Sequence, residues 1–265
     1  MHNSSLRSPV LPRTAGNENT GLLKLIAFIC MLIDHAGVAF FPHITNLRII
    51  GRIAFPLFAW SMVVGAEYTR SIWKYALRFL ALALLSQPVY VWAMNHRWME
   101  WNIFVTLLLS LLGIAAIQKK WFFSHIWGPV LSILAACVIH VDYGWMGVLL
   151  CLCLYSMRKS RGALAAMFFV FCLYWGQCSF SIASIFGLRL PTSISFLPES
   201  TDMLAAFRRI QFMAIFALPL IILPIKRNIP IPKWISYSIY PGHLLIYGFI
   251  RHWDQVTALF EKIFH

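Results

Sequence analysis

The sequence has 265 residues, of which 60% are hydrophobic and only 12% are charged, and its mean hydropathy is +0.73. A soluble domain of this size needs far more charged surface, so the composition excludes that class and predicts a polytopic membrane protein. The formal net charge of +13 does not indicate nucleic-acid binding. Lys and Arg lie in short clusters between apolar runs, a pattern typical of loops beside anionic lipid.

Residues 1–20 are polar, and we expect them to form a disordered tail without a cleavable secretory signal. Residues 21–265 then form a single transmembrane domain. Its apolar runs predict an all-α helical bundle of about nine transmembrane helices, and the pattern is compatible with eight to ten. The predicted spans are 22–41, 47–66, 74–94, 100–117, 121–141, 143–157, 161–178, 204–224 and 233–252.

The distribution of positive charge predicts the orientation of the bundle. Most of the 22 Lys and Arg residues fall before the first span and at alternate junctions between later spans. Positive charge concentrates on the cytoplasmic side of membrane proteins. The N-terminus is therefore predicted to be cytoplasmic, and the long loop 179–203 is predicted to lie outside.

Asp34 and His35 lie inside the first predicted span. An ionisable group in that position costs roughly 2.5–3.5 kcal/mol on insertion scales, so the pair indicates a site or a specific contact. His35 is a candidate general base, because imidazole titrates near neutral pH. Sequence neighbours on a helix point in different directions, so Asp34 either orients His35 through water or pairs with Arg52. The alternative is a polar contact that holds two helices together.

Arg48 and Arg52 are four residues apart and share one face of the second predicted span. Two guanidinium groups on one face could bind a phosphate or a carboxylate. Arg48 can extend to the membrane interface, whereas Arg52 is deeper and is the stronger candidate. Gly51 permits close helix approach, and Pro56 is expected to kink the span and free a carbonyl.

The later spans contain further polar candidates. Arg78 in the third span and the pair Arg208–Arg209 at the start of the eighth are either interfacial or functional, and Gln211 follows that pair. His243 follows Pro241, and we expect a break in the middle of the last span that opens the backbone beside the histidine.

His140 and Asp142 lie at the outer end of the fifth span. Their spacing to other candidate ligands matches no known metal motif, so no metal site is predicted. The sequence also contains no Walker loop, dinucleotide fingerprint or nucleophile elbow.

Several blocks, taken in chain order, resemble the TraX family of conjugation-associated membrane proteins. The blocks are Leu23-KLIAFICMLIDH-Ala36, Gly51-RIAFPLF-Ala59, Tyr75-ALR-Phe79, Asp142-YGWMGVL-Leu150, Gln211 and Tyr240-PGHL-Leu245. This resemblance implies a multi-pass protein of the bacterial inner membrane, implicated in acetylation of a pilin N-terminus, with acetyl-CoA as donor. It also implies kinship with multispanning membrane acyltransferases. The residues that match the motifs, and that the resemblance assigns to the site, are Asp34, His35, Arg52 and His243.

We therefore expect a membrane acetyltransferase in which His35 is the base that deprotonates an acceptor, and Asp34 tunes or orients His35. The acceptor would be a pilin-like peptide or a glycan, reached from outside. Arg52, alone or with Arg78, would hold a phosphate, a carboxylate or a developing oxyanion. The other expected substrate-binding or cofactor-binding residues are Arg208, Arg209, Gln211 and His243.

Two alternatives come from other functional classes. A proton-coupled transporter would use Asp34, His35 and Arg52 as a proton relay. Such transporters commonly carry inverted repeats with paired broken helices, and the sequence shows no evident repeat of this kind. A structural subunit of a secretion complex would use the same residues as contacts between helices.

Overall fold

The computed structural model describes residues 14–193, 200–225 and 229–253, most of which are helical. The first four helices are α1 (Thr20–Phe40), α2 (Thr45–Gly51), α3 (Ala54–Tyr68) and α4 (Ile72–Met94). The next four are α5 (Ile103–Lys119), α6 (Ser124–Val138), α7 (Gly144–Met157) and α8 (Arg161–Gln177). A short hairpin follows, made of β1 (Ser184–Ile185) and β2 (Leu188–Arg189). The last three helices are α9 (Ser200–Phe207), α10 (Leu218–Ile222) and α11 (Lys233–Arg251), and 3-10 helices occur at Trp121–Phe123 and Ile210–Ala217.

Four helical segments in the described part of the chain are long and apolar enough to cross a membrane. They are Thr20–Phe40, Thr45–Tyr68, Ile72–Met94 and Trp121–Val138. Shorter apolar helices are Ile103–Lys119, Gly144–Met157 and Ile210–Ile222. The mostly helical fold is as predicted, while the count of about nine spans stays a prediction.

Side-chain caps explain where three of the helices begin. The Ser71 hydroxyl accepts a hydrogen bond from the Lys74 backbone N–H at the start of α4. The Asn102 side-chain oxygen accepts from the Phe104 N–H at the start of α5, and the Ser160 hydroxyl accepts from the Ala163 N–H at the start of α8. Ser and Asn are favoured at this position because they satisfy backbone N–H groups that have no partner within the helix.

In the described part of the chain, the ends of α3, α5 and α7 and the start of α8 lie together on one face of the bundle, which we call the basic face. Its charged residues include Lys119, Lys120, Arg158, Lys159 and Arg161. There the Arg158 guanidinium pairs with Glu67 at 2.9 Å, which joins the end of α7 to the end of α3. Gln118 near the end of α5 donates to the Ala66 carbonyl at 3.2 Å. The charge pattern and the packing of the helices therefore agree on which ends share a face.

The opposite face is held together by contacts between its loops. The Trp101 N–H donates to the His140 carbonyl at 2.7 Å, and the Asp142 N–H donates to the Trp101 carbonyl at 2.9 Å. These bonds join the loop before α5 to the loop before α7. The Phe186 N–H in the hairpin donates to the Asn46 side chain at 3.2 Å.

The part of the predicted disordered tail that the structure describes is packed against the bundle. The Asn17 side chain donates to the Leu220 carbonyl at 3.1 Å, and the Trp60 indole donates to the Asn17 carbonyl at 2.7 Å. Polar side chains in this segment satisfy backbone groups at helix ends, which composition alone does not reveal. Residues 1–13 lie outside the described residues.

The two backbone predictions made from proline have different outcomes. The helix of the second span is interrupted at Arg52–Ile53, between α2 and α3. Arg52 is four residues before Pro56, which has no N–H to donate to the Arg52 carbonyl, so the position of the interruption agrees with the predicted kink. The expected break at Pro241 is wrong, because α11 runs through this proline without interruption. Membrane helices tolerate proline where neighbouring groups satisfy the freed backbone carbonyl.

Candidate functional site

A cavity of about 510 Å³ lies between α1, α3, α4, α5 and α11. Its lining on α1 runs from Lys24 to His35, roughly 16 Å along the axis at ~1.5 Å per residue. The walls between these ends are mostly apolar, and the side chains there are Phe28, Met31, Phe58, Phe79, Phe104 and Leu107. This shape suits a slender ligand better than a compact one.

The two ends of the cavity differ in chemistry. Lys24, Thr69 and the exposed Arg78 line the end at the basic face, together with the start of α11. Asp34 and His35 line the other end. A ligand with an anionic head and a less polar arm would match this polarity, with its arm directed at His35.

His35 forms a hydrogen bond with His243 on α11, with 2.7 Å between His35 Nδ1 and His243 Nε2. His243 is buried, and its Nδ1 lies 2.8 Å from the Ile239 carbonyl oxygen. A carbonyl can only accept, so His243 Nδ1 carries a proton and, in the neutral ring, Nε2 accepts. His35 Nδ1 must then donate, which leaves the lone pair of His35 Nε2 available. The contact between the two histidines thereby fixes His35 in the tautomer that a general base requires.

The Asp34 carboxylate lies between two guanidinium groups. Oδ1 is 2.9 Å from Arg48 Nη1 and 3.1 Å from Arg52 Nη2. The predicted pairing of Asp34 with Arg52 is therefore present, and Asp34 bonds to the arginines rather than orienting His35. The residue that orients His35 is His243, which was predicted only as a binding residue.

Arg52 is satisfied on several sides. Its Nη1 donates to Gln211 Oε1 at 3.1 Å, and its Nε donates to the Arg48 carbonyl at 3.3 Å. It does not line the cavity in the described structure, and its charge is already paired with Asp34. The geometry gives Arg52 a positioning role between α1, α2 and the segment that begins at Ile210.

Gly51 allows this arrangement, as its position beside Arg52 suggested. A Cβ atom at residue 51 would overlap the Asp34 carboxylate. The backbone of α2 therefore approaches α1 at the level of the ion pairs, at a distance only glycine permits.

Asp142 and Tyr143 line the cavity at the end opposite the basic face. Burial raises the pKa of Asp142 to about 6, and the positive charge of Arg52 opposes the rise. The Tyr143 ring stacks on Phe55, with 4.1 Å between centroids. These two residues lie in the Asp142–Leu150 block, although neither was predicted to belong to the site.

The remaining predicted residues do not all meet at the cavity. Arg78 lines it, at the basic face. Arg209 Nη1 donates to the Ser179 carbonyl at 2.7 Å, and the Arg208 carbonyl accepts from the Ile182 N–H at 2.8 Å. Arg208 and Arg209 thus hold the loop after α8 and are not among the cavity-lining residues.

Tyr240 is a cavity residue that the sequence reasoning missed. Its ring lies 6.3 Å from that of His35 and 5.6 Å from that of His243, between centroids. Tyr240 is three residues before His243, which places both side chains on one helix face. That spacing within the Tyr240–Leu245 block is the signal that could have identified it.

No group of three or more His, Cys, Asp and Glu residues that could hold a metal ion occurs within the described ranges. His140, weighed as a possible ligand, is exposed at the surface.

The model of the family described as "TraX protein" matches residues 19–251 of the chain. A protein of Dichelobacter nodosus named "Probable fimbrial assembly protein FimC, serogroup H1" is 30% identical over 106 residues, 35% of this chain and 43% of that protein. A Rickettsia prowazekii protein named "Uncharacterized protein RP591" is 57% identical over 37 residues, 14% of this chain and 15% of its own. The chain thus spans less than half of the length of either relative. No solved structure matches the chain.

Proposed function

The chain belongs to the TraX family, and from this premise we propose that it is a multi-pass inner-membrane acetyltransferase. It moves an acetyl group from cytosolic acetyl-CoA to an amine or hydroxyl that reaches the site from the extracytoplasmic side. The name of the fimbrial assembly relative supports a pilus subunit as acceptor, with the N-terminal amine as the reacting group.

One observation carries the proposal: a cavity connects the basic face with a histidine whose Nε2 lone pair is available. Lys24 and Arg78 supply positive charge at the basic end of the cavity. The phosphates of a cytosolic donor would lie there, and the thioester would lie at His35. Electrostatic attraction to anions at the entrance would favour this direction of binding.

His35 and His243 have different roles in the proposed acetyl transfer. His35 Nε2 takes the proton of the acceptor N–H or O–H as the acceptor attacks the thioester carbonyl carbon. The carbon–sulfur bond then breaks, and the leaving thiolate receives the proton from His35. His243 keeps Nδ1 of His35 hydrogen-bonded throughout, so the ring stays oriented while its charge changes. Asp34, Arg48 and Arg52 hold α1 against α2 and so fix the position of His35.

A transfer assay with purified protein tests the proposal. The acceptors would be a synthetic peptide with a free N-terminal amine and the same peptide with that amine blocked. We expect wild-type protein to release free CoA thiol only with an unblocked acceptor. His35→Ala should lower kcat by about 10²- to 10⁴-fold, the range of a lost general base. The matched control is His140→Ala, at an exposed histidine outside the cavity.

A thermal-shift measurement with acetyl-CoA tests binding separately. Wild-type and His35→Ala proteins should both gain stability with increasing ligand, following RT ln(1 + [L]/Kd). Transfer by His35→Ala at the wild-type rate would show that the base is assigned wrongly. A folded protein that neither binds acetyl-CoA nor transfers acetyl would favour the proton-coupled transporter instead.

A further inference from the structure

Two hydroxyl groups in the cavity wall donate to no acceptor in the described structure. They belong to Ser61 on α3 and Tyr240 on α11, whose side chains are buried, with 2% and 3% of each residue exposed. Buried polar groups in folded proteins are nearly always paired, and leaving one unpaired costs free energy. Both residues line the same cavity, so a ligand there with complementary polar atoms would satisfy both hydroxyls.

The two hydroxyls lie at different depths in the cavity. Tyr240 is beside the two histidines. Gly51 marks the same level on the α2–α3 segment, because it packs against Asp34. Ser61 is ten residues further along, roughly 15 Å toward the basic face at ~1.5 Å per residue. A ligand that reaches both hydroxyls must be extended and must carry polar atoms at two separated points.

We propose that the cavity binds the pantetheine-type arm of an acyl thioester, with Tyr240 bonded to the thioester carbonyl oxygen and Ser61 bonded to a polar group further along the arm. This inference rests on the proposed function. Such an arm is mostly hydrocarbon, with a few amide and hydroxyl groups at intervals, so it matches apolar walls with isolated hydroxyls. A free nucleotide or an inorganic phosphate would leave those walls without a complementary surface.

In this proposal Tyr240, rather than Arg52, stabilises the developing oxyanion. When the acceptor attacks, negative charge develops on the carbonyl oxygen of the thioester. The Tyr240 O–H donates to that oxygen and keeps its own proton. The charge returns to the carbon–sulfur bond as it breaks, and the thiolate leaves with the proton carried by His35. A donor placed in advance in a dry site stabilises such an oxyanion effectively.

The experiment combines two substitutions with two donors. Acetyl-CoA carries the complete arm, whereas S-acetyl-N-acetylcysteamine keeps the thioester but ends before the level of Ser61. We expect Tyr240→Phe to lower kcat by about 10²- to 10³-fold with both donors, as for loss of one oxyanion donor. We expect Ser61→Ala to raise KM for acetyl-CoA about five- to tenfold and to leave KM for the short donor unchanged.

Matched controls separate these effects from general damage to the fold. Ser86 is another buried serine whose hydroxyl has no partner in the described structure, and Tyr90 is another buried tyrosine. Neither lines the cavity, so Ser86→Ala and Tyr90→Phe should leave both kinetic constants near wild type. Thermal unfolding of each variant without ligand checks that it is folded.

The outcomes distinguish this inference from the proposed function. If wild type transfers acetyl and requires His35, but Tyr240→Phe is fully active or Ser61→Ala acts equally on both donors, the inference alone is overturned. If wild type binds CoA without transferring acetyl, the proposed function fails. Weaker CoA binding by Ser61→Ala would then still support the assigned arm site. A folded wild type that does not bind CoA overturns both.

Discussion

The Asp34 carboxylate and its two guanidinium partners lie at the end of the cavity that His35 lines. The side chains of Asp34 and Arg52 are 10% and 11% exposed, whereas that of Arg48 is 29% exposed. A buried ion pair contributes little net stability as a pair, but removing one member leaves an uncompensated charge. The three residues therefore differ in what their substitution should do.

Asp34→Asn should destabilise the protein by about 3–5 kcal/mol, the usual cost of breaking a buried ion pair. Arg48→Ala should cost less, because Arg52 still pairs with the carboxylate and residue 48 is closer to solvent. Denaturant unfolding of both variants in the same detergent measures the difference. If the Asp34→Asn variant is as stable as wild type, the carboxylate is not held as the structure shows.

Asp142 should make stability depend on pH. Its folded-state pKa, about 6, is above the ordinary value of 3.8 because the carboxyl group is buried. The folded state therefore holds its proton more tightly, so the stabilisation is present at low pH and is lost as pH rises from about 4 to 6. The shift of about two units corresponds to up to about 3 kcal/mol. Unfolding of wild type and Asp142→Asn across this range measures it, and equal slopes would refute the assignment.

The sequence alone indicates which residues belong to the site better than it indicates which residues they contact. Asp34 and His35 were recognisable because charge in an apolar run is rare, and Arg52 was the natural counter-ion on the next span. The link from His35 to His243 joins the first and last helices of the bundle, and nothing local to either residue encodes it. Tyr240 and Ser61 are uncharged, so the sequence alone does not distinguish them from residues that only pack between helices. The structure identifies them as cavity residues.

At the scale of helices, the approach of α2 to α1 depends on Gly51. Gly51→Ala should destabilise the protein by about 1–3 kcal/mol, because the new methyl group overlaps the Asp34 carboxylate. The control is Gly162→Ala near the start of α8, where an added Cβ meets no atom within 4 Å. That change should be neutral or slightly stabilising, since alanine favours helix.

Denaturant midpoints of the two alanine variants test this packing. An equal effect of both substitutions would show that helix propensity, rather than contact with Asp34, determines the cost at residue 51. Acetyl transfer should fall in Gly51→Ala as well, because displacement of α1 moves His35.

Helices were predictable as elements, while their interruptions were predictable only in part. Long apolar runs predict α1 and α4 directly, because only a helix satisfies its own backbone in lipid. Proline predicts a break, and the interruption at Arg52–Ile53 lies one turn before Pro56, but α11 continues through Pro241. Packing of α11 against α4 and α1 outweighs the lost hydrogen bond, and this balance is a tertiary property.

For the whole molecule, the charge pattern and the packing agree on which helix ends share a face, but neither measures the side of the membrane on which that face lies. The acetyl-CoA proposal requires the basic face to be cytoplasmic, because Lys24 and Arg78 line the cavity there. Orientation is thus the condition on which the direction of transfer depends.

Single cysteines labelled on intact cells determine the orientation. Cys137 and Cys178 are exposed and would be replaced by serine first. New cysteines would then be placed at Lys119 and Lys159 near the basic face and at the exposed Arg189 in the hairpin. We expect an impermeant maleimide to label position 189 on intact cells, and positions 119 and 159 only after permeabilisation.

The reverse pattern would place the cavity's charged end outside the cell, where acetyl-CoA is absent. The two histidines could then still move protons, but they could not take acetyl from a cytosolic donor through this cavity. Labelling at all three positions would instead indicate permeable or damaged cells, which a cytoplasmic marker protein carrying its own cysteine detects in the same sample. Only labelling restricted to position 189 is compatible with transfer from the cytosol to an acceptor outside.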